Sequence, residues 1–160
     1  MLRQLLRRFR KNKEERISGS TVDLVVEKKV EPGQYEATVY TVWYGIYLHD
    51  TDVRVGYTDL RVGKNDELYY AGNIGYHIYP RHRGHSYAYE ASKLLLNTAK
   101  EEFGMDELIV TCSPDNPASE RTIQKLGGEL IEKTDVPAWH WLYRRGETVK
   151  LIYRFDLSKG

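Results

Sequence analysis

A single cysteine, Cys112, stands among the 160 residues, so no intrachain disulfide can form and a four-thiolate metal site is excluded. No apolar run reaches the ~18 residues of a membrane-spanning helix. The N-terminus lacks the apolar stretch of a secretory signal. No repeat and no low-complexity linker divides the chain. Net charge is almost absent, +1 in total, so a nucleic-acid reader with a broad basic face is not expected. These absences leave a soluble, cytoplasmic single domain, large enough at 18.7 kDa to bury a core.

The little charge asymmetry there is lies at the start. Residues 1–16 hold seven Lys/Arg against two Glu, and Leu2, Leu5, Leu6 and Phe9 recur there at helical spacing. We therefore divide the chain into a basic arm or helix, 1–18, and a domain, 19–160. The arm reads first as a solvated segment or a helix docked by its leucine stripe. Contact with nucleic acid, a membrane surface or a partner is the alternative.

Beyond Ser18-Gly19-Ser20, strands are expected at 21–30, 36–48, 53–62 and 68–79, rich in Val, Tyr and Trp and separated by turn residues. The texture then changes. Ala88, Ala91, Leu95, Leu96, Ala99 and Phe103 follow a helical period, and Gly104 suits the residue just past a helix end. Strand 107–112 follows, then a second helix capped by Asn116 with Pro117 at its first position. Strands 129–132 and 148–157 close the chain around an aromatic loop, 137–146. The unit 68–112 is expected to be a right-handed βαβ crossover. The fold class is α+β (α/β): one mixed, largely antiparallel sheet of about six to seven strands flanked by helices.

The segment Ile78-Tyr79-Pro80-Arg81-His82-Arg83-Gly84-His85-Ser86-Tyr87-Ala88 joins a strand to a helix through small and polar residues. A helix start of this kind leaves backbone N–H groups unpaired, and with the helix dipole they form a nest for phosphate oxygens. Gly84 and Ser86 keep the backbone accessible, and Arg81 and Arg83 supply charge for a pyrophosphate. The loop lacks the Gly-Lys-Ser/Thr ending of a Walker loop and the dinucleotide Gly-x-Gly-x-x-Gly pattern. Taken alone, it is also compatible with an ordinary surface turn.

The run Gly75 to Ala88 resembles the acetyl-CoA-binding motif of the GNAT superfamily, Arg/Gln-x-x-Gly-x-Gly/Ala. Arg81 takes its first position, Gly84 its fourth, and Ser86 replaces the final Gly or Ala. A second match is Asn116-Pro117-Ala118-Ser119 followed by Leu126-Gly127, similar to the segment in the ribosomal-protein N-acetyltransferase branch. The resemblance implies an acetyl-CoA-dependent N-acetyltransferase acting by direct attack of an amine in a ternary complex. It implies pantetheine lying between splayed strands 68–79 and 107–112, bonded near Ile78 and Tyr79. The nest of Arg81, Arg83, Gly84, His85, Ser86, Tyr87 and Ala88 would hold the pyrophosphate, and Asn116 would reach toward the sulfur.

The family's usual proton-donating tyrosine falls at Ile123, so Ser119 is the nearest replacement for protonating the departing thiolate. His77 is the candidate base, set against an inert histidine in the sheet and against water leading to Asp59 or Glu132. His82 and His85 have no Cys or carboxylate framing them, so no metal is expected. Cys112 reads as packing rather than nucleophile. The loop Trp139–Arg145 could wall the substrate, form a dimer contact or cap the core. A homodimer therefore stays open, and the amine acceptor is of unknown type. The alternative function is a non-catalytic acyl-CoA-binding module that engages a partner.

Overall fold

The computed structural model describes residues 15–158. Most of the basic arm, residues 1–14, lies outside the described residues. Its last three residues form β1 (Arg16–Ser18), so the first sheet begins before the expected boundary at 18. The other strands are β2 (Val22–Val30), β3 (Tyr40–Leu48), β4 (Arg54–Val62), β5 (Ile74–Ile78), β6 (Glu107–Cys112), β7 (Glu129–Asp135) and β8 (Val149–Asp156). The helices are α1 (Asp66–Ala71), α2 (Tyr87–Glu101), α3 (Pro117–Lys125) and α4 (Trp141–Arg144). Strands β1 to β5 form one antiparallel sheet in chain order, and β6-β8-β7 form a second, also antiparallel. The α+β class expected from the sequence is the one observed. Among the described residues there are eight strands rather than six or seven, β1 being the addition.

Strand alternation gives the first sheet two distinct faces. Val42, Leu60 and Ile74 lie in one cross-strand row, and Tyr44, Thr58 and Tyr76 in the next. This face packs under α2, which presents Ala91, Leu95 and Ala99 at four-residue spacing, all three fully buried. Lys28, Trp43, Asp59 and Gly75 form a row on the opposite face.

The stretch 68–79 corrects one expectation. It is not a single strand: α1 takes its first part and β5 its last. Asn65 caps α1 by accepting the Leu68 N–H at 2.8 Å, and Asp66 and Glu67 occupy the first turn, where the helix dipole favours acids. That capping signal outweighs the strand preference of Tyr69 and Tyr70. Gly72, with φ of +82°, ends the helix. The loop 137–146 likewise contains a short helix, α4. His140 caps it through Nδ1, which accepts the Leu142 N–H at 3.1 Å. The crossover from β5 through α2 to β6 exists, but its two strands belong to different sheets.

Candidate active site

Where the two sheets meet, Asn73 closes them. Its backbone N–H donates to the Ile109 carbonyl at 2.7 Å, and its Oδ1 accepts the Ile109 N–H at 2.9 Å. Its Nδ2 donates to the carbonyls of Arg61 and Gly63, both at 2.8 Å. One buried amide thus fixes β4, β5 and β6 at a point. Beyond that point β5 continues with β4, while β6 pairs with β8. A cleft of about 430 Å³ lies between the end of β5, the loop into α2, the start of α2 and α3.

Most of the residues expected to bind the cofactor line this cleft, together with both catalytic candidates, His77 and Ser119. His77, Ile78, Arg83, Gly84, Ser86, Tyr87, Ala88, Asn116 and Ser119 border it, joined by Tyr76, His82, Ala118 and Thr122. Tyr79, Arg81 and His85 lie outside the lining. The Tyr79 N–H donates to Val55 O at 2.9 Å, and its hydroxyl bonds Arg54 on the other side of the strand. Arg81 is exposed and reaches His82 at 3.2 Å, and the His85 ring stacks on Tyr87 with centroids 5.2 Å apart. Arg83 Nε donates to Ile78 O at 3.1 Å, which occupies one of the backbone contacts expected at Ile78.

The loop into α2 holds two residues in the left-handed region. Gly84 has φ of +88°, and Ser86, at the N-cap, sits in the left-handed region at φ +61°, ψ +25°. The Ser86 side chain makes no capping bond. The first-turn N–H groups of a helix have no partner within it, and the Arg83 guanidinium lies on the same loop. Asn116 caps α3, its Oδ1 accepting the Ser119 N–H at 3.2 Å. Ser119 therefore stands one turn inside the helix, on the cleft.

A residue that sequence reasoning missed meets Ser119 there. Tyr76 Oη lies 2.7 Å from Ser119 Oγ. Burial raises the Tyr76 hydroxyl above the ordinary tyrosine value, against the lowering bonds from Ser119 and Thr122. Cys112, facing the same interior, is 3% exposed, and burial pushes its thiol up to about 11, with Glu120 adding to the shift. A thiol so protonated fits packing rather than nucleophilic work. The signal for Tyr76 was its two-residue offset from Ile78, which puts both side chains on the cleft face. Its partner on α3 was beyond the reach of sequence.

His77 borders the cleft at β5, but its ring turns toward the opposite face of the sheet. Its ring packs against Tyr57 at 5.2 Å and Tyr79 at 6.0 Å, within an aromatic ribbon that continues to Trp43. That face carries a second, larger hollow of about 720 Å³, bordered by Lys28, Trp43, Asp59, Arg61, Glu67 and Trp141 among others. Asp59 is 2% exposed, and burial raises its carboxyl above the ordinary value although Arg61, at 2.7 Å, works the other way. A Cβ added at its register partner Gly75 would fall 2.7 Å from Asp59 Oδ1, so this carboxylate nearly touches the strand that walls the cleft. Glu67 receives the Trp141 indole N–H on Oε1 at 3.3 Å, while its buried Oε2 has no partner. His140 Nε2 bonds Glu67 O at 2.9 Å and ties the aromatic loop to α1. Glu132 is engaged by the Tyr69 hydroxyl.

Residues 7–129 match the acetyltransferase (GNAT) domain, and the chain belongs to that family. An uncharacterized N-acetyltransferase of Bacillus subtilis is 27% identical over 84 residues, 52% of this chain and 48% of its own. The chain thus spans about half the length of that curated relative. Among solved structures, ribosomal-protein-S5-alanine acetyltransferase from Vibrio fischeri aligns with a TM-score of 0.67 at 10% identity, covering 91% of this chain and 98% of its own. A GNAT-family acetyltransferase from Bacillus anthracis aligns at 0.57 and 21% identity, over 73% and 67%. A mutant form of a Vibrio cholerae spermidine N-acetyltransferase aligns at 0.60 and 12%, over 79% and 69%. At such identities the structural likenesses speak for the fold.

Proposed function

We propose that this chain transfers the acetyl group of acetyl-CoA to an amine by direct attack, with both substrates bound together. The observation that carries the reading is the cleft bordered by β5, the loop into α2 and α3, with two left-handed residues in that loop and paired hydroxyls on its wall. The nest N–H groups and Arg83 bind the pyrophosphate, Arg83 releasing Ile78 O in exchange. The freed backbone at Ile78 then holds pantetheine, and Asn116 orients its sulfur end. Ser119 donates a proton to the departing thiolate. The acceptor approaches from the opposite face of β5, along the row Trp43, Asp59 and Gly75. An amine with pKa ~10.4 is mostly protonated at neutral pH, so a base must take its proton before attack. Asp59, whose burial makes it a stronger base than a free carboxylate, is better placed beside Gly75 than His77, whose ring packs between Tyr57 and Tyr79.

Calorimetry with CoA tests the cofactor half of this reading. Wild-type chain is expected to bind in the micromolar range, more weakly with Arg83→Ala and more weakly still with Gly84→Pro, which cannot hold a positive φ. Unchanged affinity in both variants refutes the assignment. A chain that binds CoA but releases no thiol with any amine is instead the non-catalytic module that engages a partner.

A further inference from the structure

We propose that Tyr76 is the proton source behind Ser119, the two hydroxyls forming a relay that delivers a proton to the thiolate released from acetyl-CoA. The inference rests on the acetyltransferase reading above. It starts from a chemical difficulty. A thiol has pKa ~8.5, and a tyrosine hydroxyl ~10. An aliphatic hydroxyl is close to water, ~15.7. A serine acting alone is therefore a poor acid toward a thiolate. A serine that is reprotonated as it donates needs only the acidity of the group behind it.

Tyr76 supplies that group. It reaches the cleft from β5, and Ser119 reaches it from α3, so their hydroxyls meet at 2.7 Å across the gap between strand and helix. Both residues border the cleft. Exclusion of water disfavours the charged form of both groups, so it raises the basicity of the departing thiolate along with the Tyr76 hydroxyl. Burial keeps the Tyr76 hydroxyl protonated at neutral pH, so the proton is present when needed.

The step balances. The Ser119 Oγ–H bond breaks as S–H forms, and the Tyr76 Oη–H bond breaks as Ser119 Oγ–H re-forms. The Tyr76 phenolate recovers its proton from water as products exchange. One proton leaves the attacking nitrogen when the amide forms, so the overall count is unchanged. A merely structural role is the competing account: the same bond would pin α3 to β5 and touch stability alone.

The test uses the full chain, acetyl-CoA, and whichever of spermidine, glucosamine, L-serine or an Ala-Gly peptide gives the fastest thiol release. Tyr76→Phe and Ser119→Ala are each expected to lower kcat at least ~10-fold, with the KM for acetyl-CoA and calorimetric CoA affinity unchanged. The double variant is expected to be no slower than the slower single one, because both remove one relay. A proton inventory in mixed H₂O and D₂O should curve for the wild type and Ser119→Thr, which keeps a hydroxyl, and straighten for Ser119→Ala. That second measurement decides the matter should Tyr76→Phe fail to fold. Wild-type kcat in a folded Tyr76→Phe, additive losses, or a linear wild-type inventory overturns the relay while leaving the acetyltransferase intact. A wild type that neither binds CoA nor releases thiol overturns both.

Discussion

Ser86 holds a conformation that its side chain resists, and replacing it with glycine should stabilise the protein. At φ +61° it lies in the left-handed region, where an L-residue is disfavoured by roughly 1–2 kcal/mol. Its hydroxyl makes no capping bond to offset that. Glycine at this position has no such strain, but it loses more backbone freedom on folding, roughly 0.5–1 kcal/mol. The difference favours Ser86→Gly by about 0.5–1 kcal/mol. For a domain of this size that is a rise in melting temperature of roughly 1–4 °C. Ser86→Ala is the control, since it keeps the Cβ that causes the strain and should bring no rise. Scanning calorimetry on the three proteins reads the outcome. A Ser86→Gly variant that melts lower, or a Ser86→Ala that rises equally, refutes the argument that strain rather than contact governs this position. CoA affinity in Ser86→Gly should be equal or higher, because glycine keeps the nest geometry available.

Asn73→Ala leaves the Ile109 N–H and the carbonyls of Arg61 and Gly63 without their partner. At about 1–3 kcal/mol per unsatisfied buried group, with incomplete additivity, the loss should reach at least ~3 kcal/mol in denaturant unfolding; a loss below ~1 kcal/mol contradicts the clamp. Asp23, 1% exposed, takes bonds from Gly19 N (3.1 Å), Asp50 N (2.9 Å) and His49 Nδ1 (2.9 Å). Burial pushes its carboxyl up, but those bonds outweigh burial and hold it below the ordinary value. The stability it supplies is therefore present above the unfolded pKa of ~3.9 and is lost as pH falls through the lower folded value. Asp23→Asn should melt well below wild type at pH 7, and the gap should close below about pH 4; a gap independent of pH excludes the charge as its origin. A chain beginning at Glu15 keeps β1 and the Val26 N–H to Glu15 O bond of 2.9 Å, and calorimetry should find its CoA affinity unchanged; failure to fold places the arm in the core.

Local chemistry was written plainly in the chain. Asn116 before Pro117 marked the start of α3 to the residue. The period of Ala91, Leu95 and Ala99 marked the buried face of α2, and the order of Arg81, Gly84 and Ser86 marked the turn into it. Each is a short-range signal, set by backbone geometry within a few residues. Where two short-range signals competed, at Asn65 to Tyr70, the cap defeated the tyrosines, and 68–79 could not be read as helix and strand together. The separation of β5 and β6 was implied by the family resemblance and by no local pattern, because it depends on how an amide at 73 meets a peptide at 109. The same holds for the site. Sequence placed Ser119 on a helix face, but only the packing of that helix against β5 set its hydroxyl 2.7 Å from Tyr76, forty-three positions away. It likewise turned His77 toward Tyr57 and Tyr79, and laid Asp59 beside Gly75. Distances between side chains on separate elements follow from how those elements stack, and no spacing along one chain encodes them.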